Sequence, residues 1–521
     1  MLGQQLFPSN YPWNQNIANA PVATNSAAII AHIGNSVHIH PDWGADNPVN
    51  GTDPLYGIPY NVVHGNSTAK ISVIIDNYPG ESDVVAAPIP TNAVIEGDYQ
   101  NGPNPYGAGY DSDLQRGDSH LIVWDEDNNI GYEFFGMSRP GDTNLFPDTN
   151  GDELPHTDGK WHAAQESVWH FNTDAFRVLG DTSADAAGLS ILAGLVRPDE
   201  GLTVAQGGQG VINHAFRFTL PAGDINPQYI YPGSHMVSET QRSTNLAMGA
   251  RLRLKSTSAV NTLISNMPPE SQIVARAMQQ YGLVLADVGS SMYVTGVSGS
   301  VNATNGLALV WDQNDIFGST GLKVLSASNF DVITLTPIVT GLSPTNGAPG
   351  SAITVNGQNF SGAAGNLSVF FGTTPASAVS VLSDSQISVT VPNGSGTVDV
   401  KVQSGTNEVD NNSDNPNANV TKPIFGYGTS AVTNADKFTF TVAVPLPAIQ
   451  HITLSGANIL LNGTNNSGSS GTYHVLTSTN LQLPRSNWAV LASGSFDSSG
   501  NFSSTNALGT NAQQFYILQV P

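Results

Sequence analysis

Glycine and proline break this chain into short pieces. It has 53 glycines and 32 prolines in 521 residues, and each resists a helix interior or a central strand position. What lies between them is short and rich in Val, Ile, Thr and aromatic residues. The segments "SVHIH", "AKISVIID", "HLIVWDED", "IGYEFFGM", "ESVWHFNT", "HAFRFTL", "ARLRLK", "LVLADV" and "SMYVTG" all read as strands. Two segments keep a helical period instead. "NSAAIIAHIG" (Asn25–Gly34) has Asn at its cap and Gly at its stop. "PESQIVARAMQQYG" (Pro269–Gly282) sets Ile273, Val274, Ala277, Met278 and Tyr281 on one face and stops at Gly282. The expected architecture is therefore mainly β: a large N-terminal β-sandwich or jelly-roll-like domain with a few helices, then further β-modules.

Composition narrows the chemistry. Hydrophobic residues make up 39% of the chain, so cores can form, while only 11% of residues are charged. The formal net charge is −23 without a long acidic run. A nucleic-acid backbone would be repelled, as would a strongly anionic polymer, whereas a neutral glycan would not. The absence of cysteine removes disulfides, thiolate nucleophiles and Cys-ligated zinc. No apolar run approaches the ~20 residues of a membrane helix. "MLGQQLFPSN" has neither the basic nor the apolar part of a signal peptide. The expectation is a secreted or cell-surface bacterial protein whose leader has been removed, with Met1 not its native start.

The texture changes near Leu335, after which His and Trp almost vanish. Three domains are expected: 1–335, 337–443 and 450–521. The middle one carries Leu342-Ser343-Pro344, Gly347, Gly350, Ile353 to Gly357, Asn359-Phe360, Val369 to Gly372, Val391-Pro392, Val398 to Val400 and the closing "DKFTFTV". In this order the residues resemble an IPT/TIG immunoglobulin-like domain, which implies a Greek-key sandwich used as a spacer or binding module. Its Asn/Asp-rich stretch from Ser404 to Ala418 reads as a loop insertion. "VAVPLPAIQ" reads as a stiff linker. Beyond it, Tyr473, Ser478, Asn480-Leu481, Trp488, Phe496, Gly500, Phe502 and Phe515-Tyr516 resemble a small C-terminal β-module of secreted Verrucomicrobia-type proteins. In the first domain "FPSNYPWNQNI", "YGIPY" and "TSADAAGLSILAGLVRPDE" resemble a group of secreted bacterial proteins, which implies export and no particular chemistry.

Chemistry is expected before residue 335. In "HIHPDWG", Pro41 cannot donate to a ladder, so the strand is expected to end at His40. Trp43 followed by Gly44 would then be an exposed aromatic plate, with His40 and Asp42 hydrogen-bonding sugar hydroxyls. His38, His40 and Asp42 could supply metal ligands, and His120 and His162 could add more, but the expectation is no metal and no cofactor. "RGDSHLIVWDEDNNIGYEFFG" reads as a hairpin turning at "DEDNN", with Asp118, His120, Ile122 and Trp124 on one face. Carboxylates beside an aromatic plate suit a sugar site, but Ile122 and Trp124 suit a core equally well. "GKWHAAQESVWHFNT" places His162, Glu166 and His170 on one face, and Trp161 and Trp169 on the other. This fits a glycan groove or a Trp-rich core.

"GDTSADAAGLSILAGLVRPDEG" is too Gly-broken for a long helix and too apolar for a free loop. A carboxylate packed against apolar groups is raised, as a general acid needs to be. Asp185 or Glu200 is thus the candidate acid, Asp118 the base or nucleophile, and His120 or His214 the group that tunes them. Arg197 would keep a second carboxylate ionised, or simply form a structural ion pair. Asp287 is a weaker addition. Trp43, Trp124, Trp169, His40, Asp42, His162 and Arg197 would contact substrate. No phosphate loop, GxSxG elbow or HExxH helix is present in the sequence. The function expected is a glycoside hydrolase acting on neutral polysaccharide, the alternative being a non-catalytic glycan-binding or adhesive protein of the cell surface. The oligomeric state is not legible.

Overall fold

A computed structural model describes residues 3–9, 11–43, 57–96, 118–141, 156, 158–173, 176–237, 241–297, 309, 311–361, 367–406, 425–441, 446–468 and 470–520. Gly44, Tyr56, Arg116, Gly117 and most of the Asn/Asp-rich insertion lie outside these residues. The described part is mainly β, as its punctuation demands.

The chain divides into two compact units, one of which spans Met1–Thr345, Ala352–Thr390 and Val398–Phe438. Its first strands are β1 (His40–Asp42), β2 (Tyr60–Val63), β3 (Val73–Ile75), β4 (Leu121–Asp125), β5 (Ile130–Phe135), β6 (Trp161–Ala163) and β7 (Gln165–His170). They continue with β8 (Phe216–Leu220), β9 (Ile225–Tyr229), β10 (Leu246–Met248), β11 (Arg251–Leu254), β12 (Leu283–Val288), β13 (Tyr293–Thr295) and β14 (Phe330–Val332). A six-stranded sheet runs β1-β13-β8-β12-β11-β14, and a four-stranded sheet runs β2-β4-β5-β7. Both mix parallel and antiparallel pairs: β8 lies parallel to β12 and antiparallel to β13.

Both expected helices form. The first, α1 (Ser26–Ile33), follows Asn25 and ends at Gly34 with φ +108°. Next come two single turns, α2 (Ile191–Gly194) and α3 (Pro198–Gly201). Then α4 (Ser258–Ser265) and α5 (Pro269–Gln280) connect β11 to β12. Val274, Ala277 and Met278 of α5 are buried. Gly282 has φ +75°, and a Cβ there would lie 2.2 Å from the Leu252 carbonyl oxygen, so only glycine turns the chain into β12 without strain.

The expected hairpin is β4–β5, in register from Leu121↔Phe134 to Asp125↔Ile130. Its turn is closed by Asp125 Oδ1, which accepts the amides of Asp127 at 3.1 Å and Asn128 at 3.3 Å. The unbroken run Leu-Ile-Val-Trp in β4 is explained by burial on both faces. Ile122 and Trp124 join the large core around the six-stranded sheet. Leu121 and Val123 join a second core with Phe134 and Ala163.

The Gly-broken stretch also has a reason to be there. Glu133 of β5 is fully buried. It accepts Ser190 Oγ at 2.7 Å, the amides of Ile191 at 2.8 Å and Leu192 at 3.0 Å, and the Trp169 indole at 3.1 Å. The small residues of 184–194 let this backbone press against the sheet until its amides reach one carboxylate. Burial pushes Glu133 up to about 7, against those hydrogen bonds.

Residues 338–343, 352–358, 379–383 and 386–390 form the sheet order expected of an immunoglobulin-like sandwich face. As domain limits we propose the positions read from the sequence, 335/337 and 443/450. Bonds cross the first of these limits: Tyr427 donates to Gln15 Oε1 at 2.8 Å, and Asn359 Nδ2 donates to the Thr334 carbonyl at 3.2 Å. The other unit holds Asn346–Ser351, Val391–Thr397 and Thr439–Pro521. Its C-terminal module pairs two three-stranded antiparallel sheets around Leu461, Tyr473, Val475, Phe496 and Phe502. Trp488 lies outside this core and donates to the Leu483 carbonyl at 3.1 Å.

Candidate functional site: a charged cluster at the strand ends

The strand FRFTL (β8) sends Phe216, Phe218 and Leu220 to one face and Arg217 and Thr219 to the other, by its period of two. Arg217 is buried and its guanidinium organises the neighbourhood. It grips both oxygens of Asp185, Nε to Oδ2 at 2.9 Å and Nη2 to Oδ1 at 2.6 Å. Nη2 also donates to Asp287 Oδ2 at 3.2 Å, from the neighbouring β12. Nη1 donates to Thr295 Oγ1 at 2.6 Å, at the end of β13. In the edge strand β1, Asp42 lies opposite Thr295. Sheet register thus carries Asp42 and Thr295 into line with Arg217, while Asp287, opposite Thr219, is met by the reach of the guanidinium.

Against this end lies a second pair. Asn61 of β2 bonds both polar groups of Val94 and the Ile122 carbonyl, which holds residues 93–96 beside β4. Glu96 is thereby set next to His120. Its Oε2 lies 2.7 Å from His120 Nδ1 and accepts the His120 amide at 3.2 Å. His120 Nε2 lies 3.1 Å from the Ala184 carbonyl oxygen, which can only accept. Both ring nitrogens therefore carry protons beside Glu96, and the ring is an imidazolium. Burial alone would lower it, but the charge and hydrogen bond of Glu96 carry it up to about 9.

Carboxylates around these pairs behave differently. Lost hydration and then the charge of Glu96 push Asp42 up to about 6, against Arg217. Burial and the charge of Asp185 hold Asp287 well above its ordinary range, against Arg217. Asp118 keeps part of its surface open to solvent yet is hemmed in by protein atoms. Lost hydration raises it against the opposing charge of His120. Two ion pairs therefore sit beside three carboxyl groups that hold protons more tightly than usual. Groups pushed apart in this way are what acid–base chemistry needs, although structural networks shift groups too.

The His120 pair makes a measurable prediction. Its folded value, about 9, lies above the ordinary histidine value of 6.5. The pair therefore stabilises fully below pH 6.5, and that contribution is lost as pH rises through 9. The difference is worth about 3 kcal/mol at 1.36 kcal/mol per unit. Denaturant unfolding at pH 6.5, 8 and 9.5 should show this decline, and His120→Gln should flatten it. An equal slope in the variant would mean that other groups cause it.

Of the residues expected to act, Asp42, Asp118, His120 and Asp185 come together here, along with Asp287. Glu96 and Arg217 were not anticipated. Arg217 had left a signal: a lone charge between two phenylalanines in a strand of a chain poor in charge. Asp185 pairs with Arg217, and Arg197 makes a structural ion pair with Glu200. With both oxygens held by the guanidinium, Asp185 positions the cluster and is not placed to deliver a proton.

Arg197, Glu200 and His214 form a network of their own. Arg197 Nη2 donates to Glu200 Oε2 at 2.8 Å, while Glu200 Oε1 lies 2.5 Å from His214 Nε2. His214 Nδ1 is spent on the Ala215 carbonyl at 2.7 Å. All three side chains are buried, so none lines an open groove.

Trp43, Trp124 and Trp169 are not exposed plates, since all three are buried. Trp43 packs on Gly296, where a Cβ would lie 2.7 Å from its ring, and near Trp311. Pro41 did not end the strand. It pairs with Val294 inside β1, which is tolerated because β1 is an edge. His40 stacks on Tyr293 with ring centroids 3.9 Å apart. His162 lies elsewhere, beside Asp76 at 3.0 Å.

No curated protein matches the chain by sequence. Among solved structures, two described as auxiliary nutrient binding proteins overlap it. The one from Bacteroides ovatus ATCC 8483 has 19% identity over 34% of this chain and 38% of that one, at TM-score 0.15. The one from Bacteroides thetaiotaomicron VPI-5482 has 14% identity over the same shares, also at TM-score 0.15. A third is the SGBP-B protein of the Bacteroides ovatus mixed-linkage glucan utilization locus, in complex with a mixed-linkage heptasaccharide. It has 13% identity over 35% of this chain and 48% of that one, at TM-score 0.14. The chain thus spans less than half the length of each, and similarity this loose transfers neither fold nor function. One part of the chain is identified: residues 337–419 match the family model of the IPT/TIG domain.

Proposed function

We propose that the chain binds neutral polysaccharide outside the cell, at the surface bordered by Asp42, Glu96, Asp118 and Asp287. One observation carries this reading. Carboxylate acceptors, some open to solvent, are gathered around buried Arg217 and His120, in a chain otherwise poor in charge. Carboxylates accept pairs of sugar hydroxyls, and a net charge of −23 disfavours anionic polymers. The IPT/TIG domain suits a spacer in such a protein, and no described helix is long and apolar enough to cross a membrane.

A second reading keeps the same site and adds hydrolysis. It is favoured by the raised Asp42, Asp118 and Asp287 beside ion-paired neighbours, an arrangement that supplies a proton donor and an ionised base. Pull-down and calorimetry on soluble glucans, xylans and mannans, with a reducing-sugar assay run alongside, test both. Retention of one polymer without sugar release supports binding alone, and release supports hydrolysis. Neither retention nor release across the panel would end the carbohydrate reading.

A further inference from the structure

Away from the charged cluster, β3 and β6 pair in parallel with Ile74 opposite His162. Asp76 follows β3 directly. Its Oδ2 lies 3.0 Å from His162 Nδ1 and 3.4 Å from His156 Nε2. The two imidazoles are stacked, with centroids 3.4 Å apart and planes 6° from parallel. One ligand atom from each of the three residues lies within 4.8 Å of the other two. His162 is nearly buried, whereas Asp76 and His156 each keep about a quarter of their side-chain surface.

We infer that Asp76, His156 and His162 bind a divalent metal ion of the zinc class. Zinc bonds of about 2.0–2.1 Å to N and O place the ligand atoms of a tetrahedron about 3.3 Å apart. The 3.0 and 3.4 Å separations at Asp76 Oδ2 are close to that edge, and His156, a quarter exposed, has to tilt out of its stack on His162 for both in-plane lone pairs to meet one ion. Imidazole and carboxylate donors without thiolate suit a first-row divalent ion.

A second observation points the same way. The far nitrogen of His162, Nε2, lies 3.1 Å from Asp158 Oδ1. A ligating histidine that donates its other N–H to a carboxylate is the arrangement that fixes the ring for a metal. Asp158 is in turn held by the Lys160 amide at 3.0 Å. Three protein ligands leave a fourth position for water, and solvent can reach it through the exposed sides of Asp76 and His156.

The test uses the full chain and Zn²⁺ itself. After chelator treatment and dialysis, Zn²⁺ is titrated against a competing indicator, bound metal is counted by elemental analysis, and melting is followed with and without Zn²⁺. One equivalent should bind, and it should raise the melting temperature through binding linkage. His156→Ala changes a partly exposed side chain and should fold, yet lose the site and the shift. Asp158→Asn should keep the stoichiometry and weaken affinity about 10–100-fold, as loss of an orienting carboxylate does. Co²⁺ should give the visible bands of a tetrahedral N/O site in the wild type and not in His156→Ala. Zn²⁺ binding that is absent, or equal in wild type and His156→Ala, would overturn the site.

Discussion

Arg217→Met should lower the free energy of unfolding by about 3–5 kcal/mol, the cost of removing one partner from a buried ion pair. Arg217 serves two carboxylates. Asp185 is wholly buried, with both oxygens on the guanidinium. Without Arg217 it is left charged in a dry site or must take up a proton. Asp287 already holds its proton more tightly than usual, so it suffers less. Thr295 Oγ1, which is buried, also loses its donor. The double variant Arg217→Met, Asp185→Leu removes both charges and should recover most of the loss, because desolvation of the pair offsets much of its attraction. Urea unfolding of the two variants decides the matter. A single variant within 1 kcal/mol of wild type would show that the pair contributes little.

Asp118→Asn should act on function and spare stability. Its side chain is partly open to solvent, so the folded chain tolerates an amide. If it accepts sugar hydroxyls there, the loss of a charged acceptor should weaken glycan binding about 10–100-fold, the equivalent of about 1.4–2.8 kcal/mol. If the site also hydrolyses, kcat should fall about 10²–10⁴-fold. Asp42 supplies the pH signature. Its carboxyl is pushed up to about 6, so it is neutral below that pH and ionised above it. Affinity that depends on an ionised acceptor should therefore rise as pH passes from 5 to 7. In Asp42→Asn this step should vanish while the melting temperature at pH 7 stays close to wild type. Unchanged affinity in both variants would move the glycan site away from these strand ends.

Local features were legible wherever the physics is local. Gly34 ends α1 and Gly282 ends the turn after α5, both at positive φ, and "DEDNN" marks the hairpin turn, because such turns depend on neighbouring residues alone; Asn25 precedes α1 without making a capping bond and donates to the distant Ser243 carbonyl instead. The period of two in "DSHLIVW" placed His120 in phase with Ile122 and Trp124, and the ordered IPT/TIG residues marked the domain that begins at Pro337. Even the oddity of 180–201 was visible, since a segment both apolar and Gly-rich has to be packed against something.

Pairing was decided only by the tertiary structure. Asp185 has Arg197 twelve positions away, yet its carboxylate meets Arg217, because sheet order puts β8 beside β12 and β13 and turns Arg217 inward. Arg197 finds Glu200 three residues on and is consumed there. His120 depends on Glu96, which Asn61 holds in place through Val94. The tryptophans show the same limit. An indole beside a glycine or a histidine reads alike as a plate or as a core residue, and burial is a property of what packs over it. Trp43 is covered because Gly296 lets the ring lie against the backbone. Trp169 is covered because the carboxylate of Glu133 satisfies its N–H inside the core. Sequence spacing governs which side chains share a face of one strand. Which strands become neighbours is settled by long-range packing, and the site is made of those neighbours.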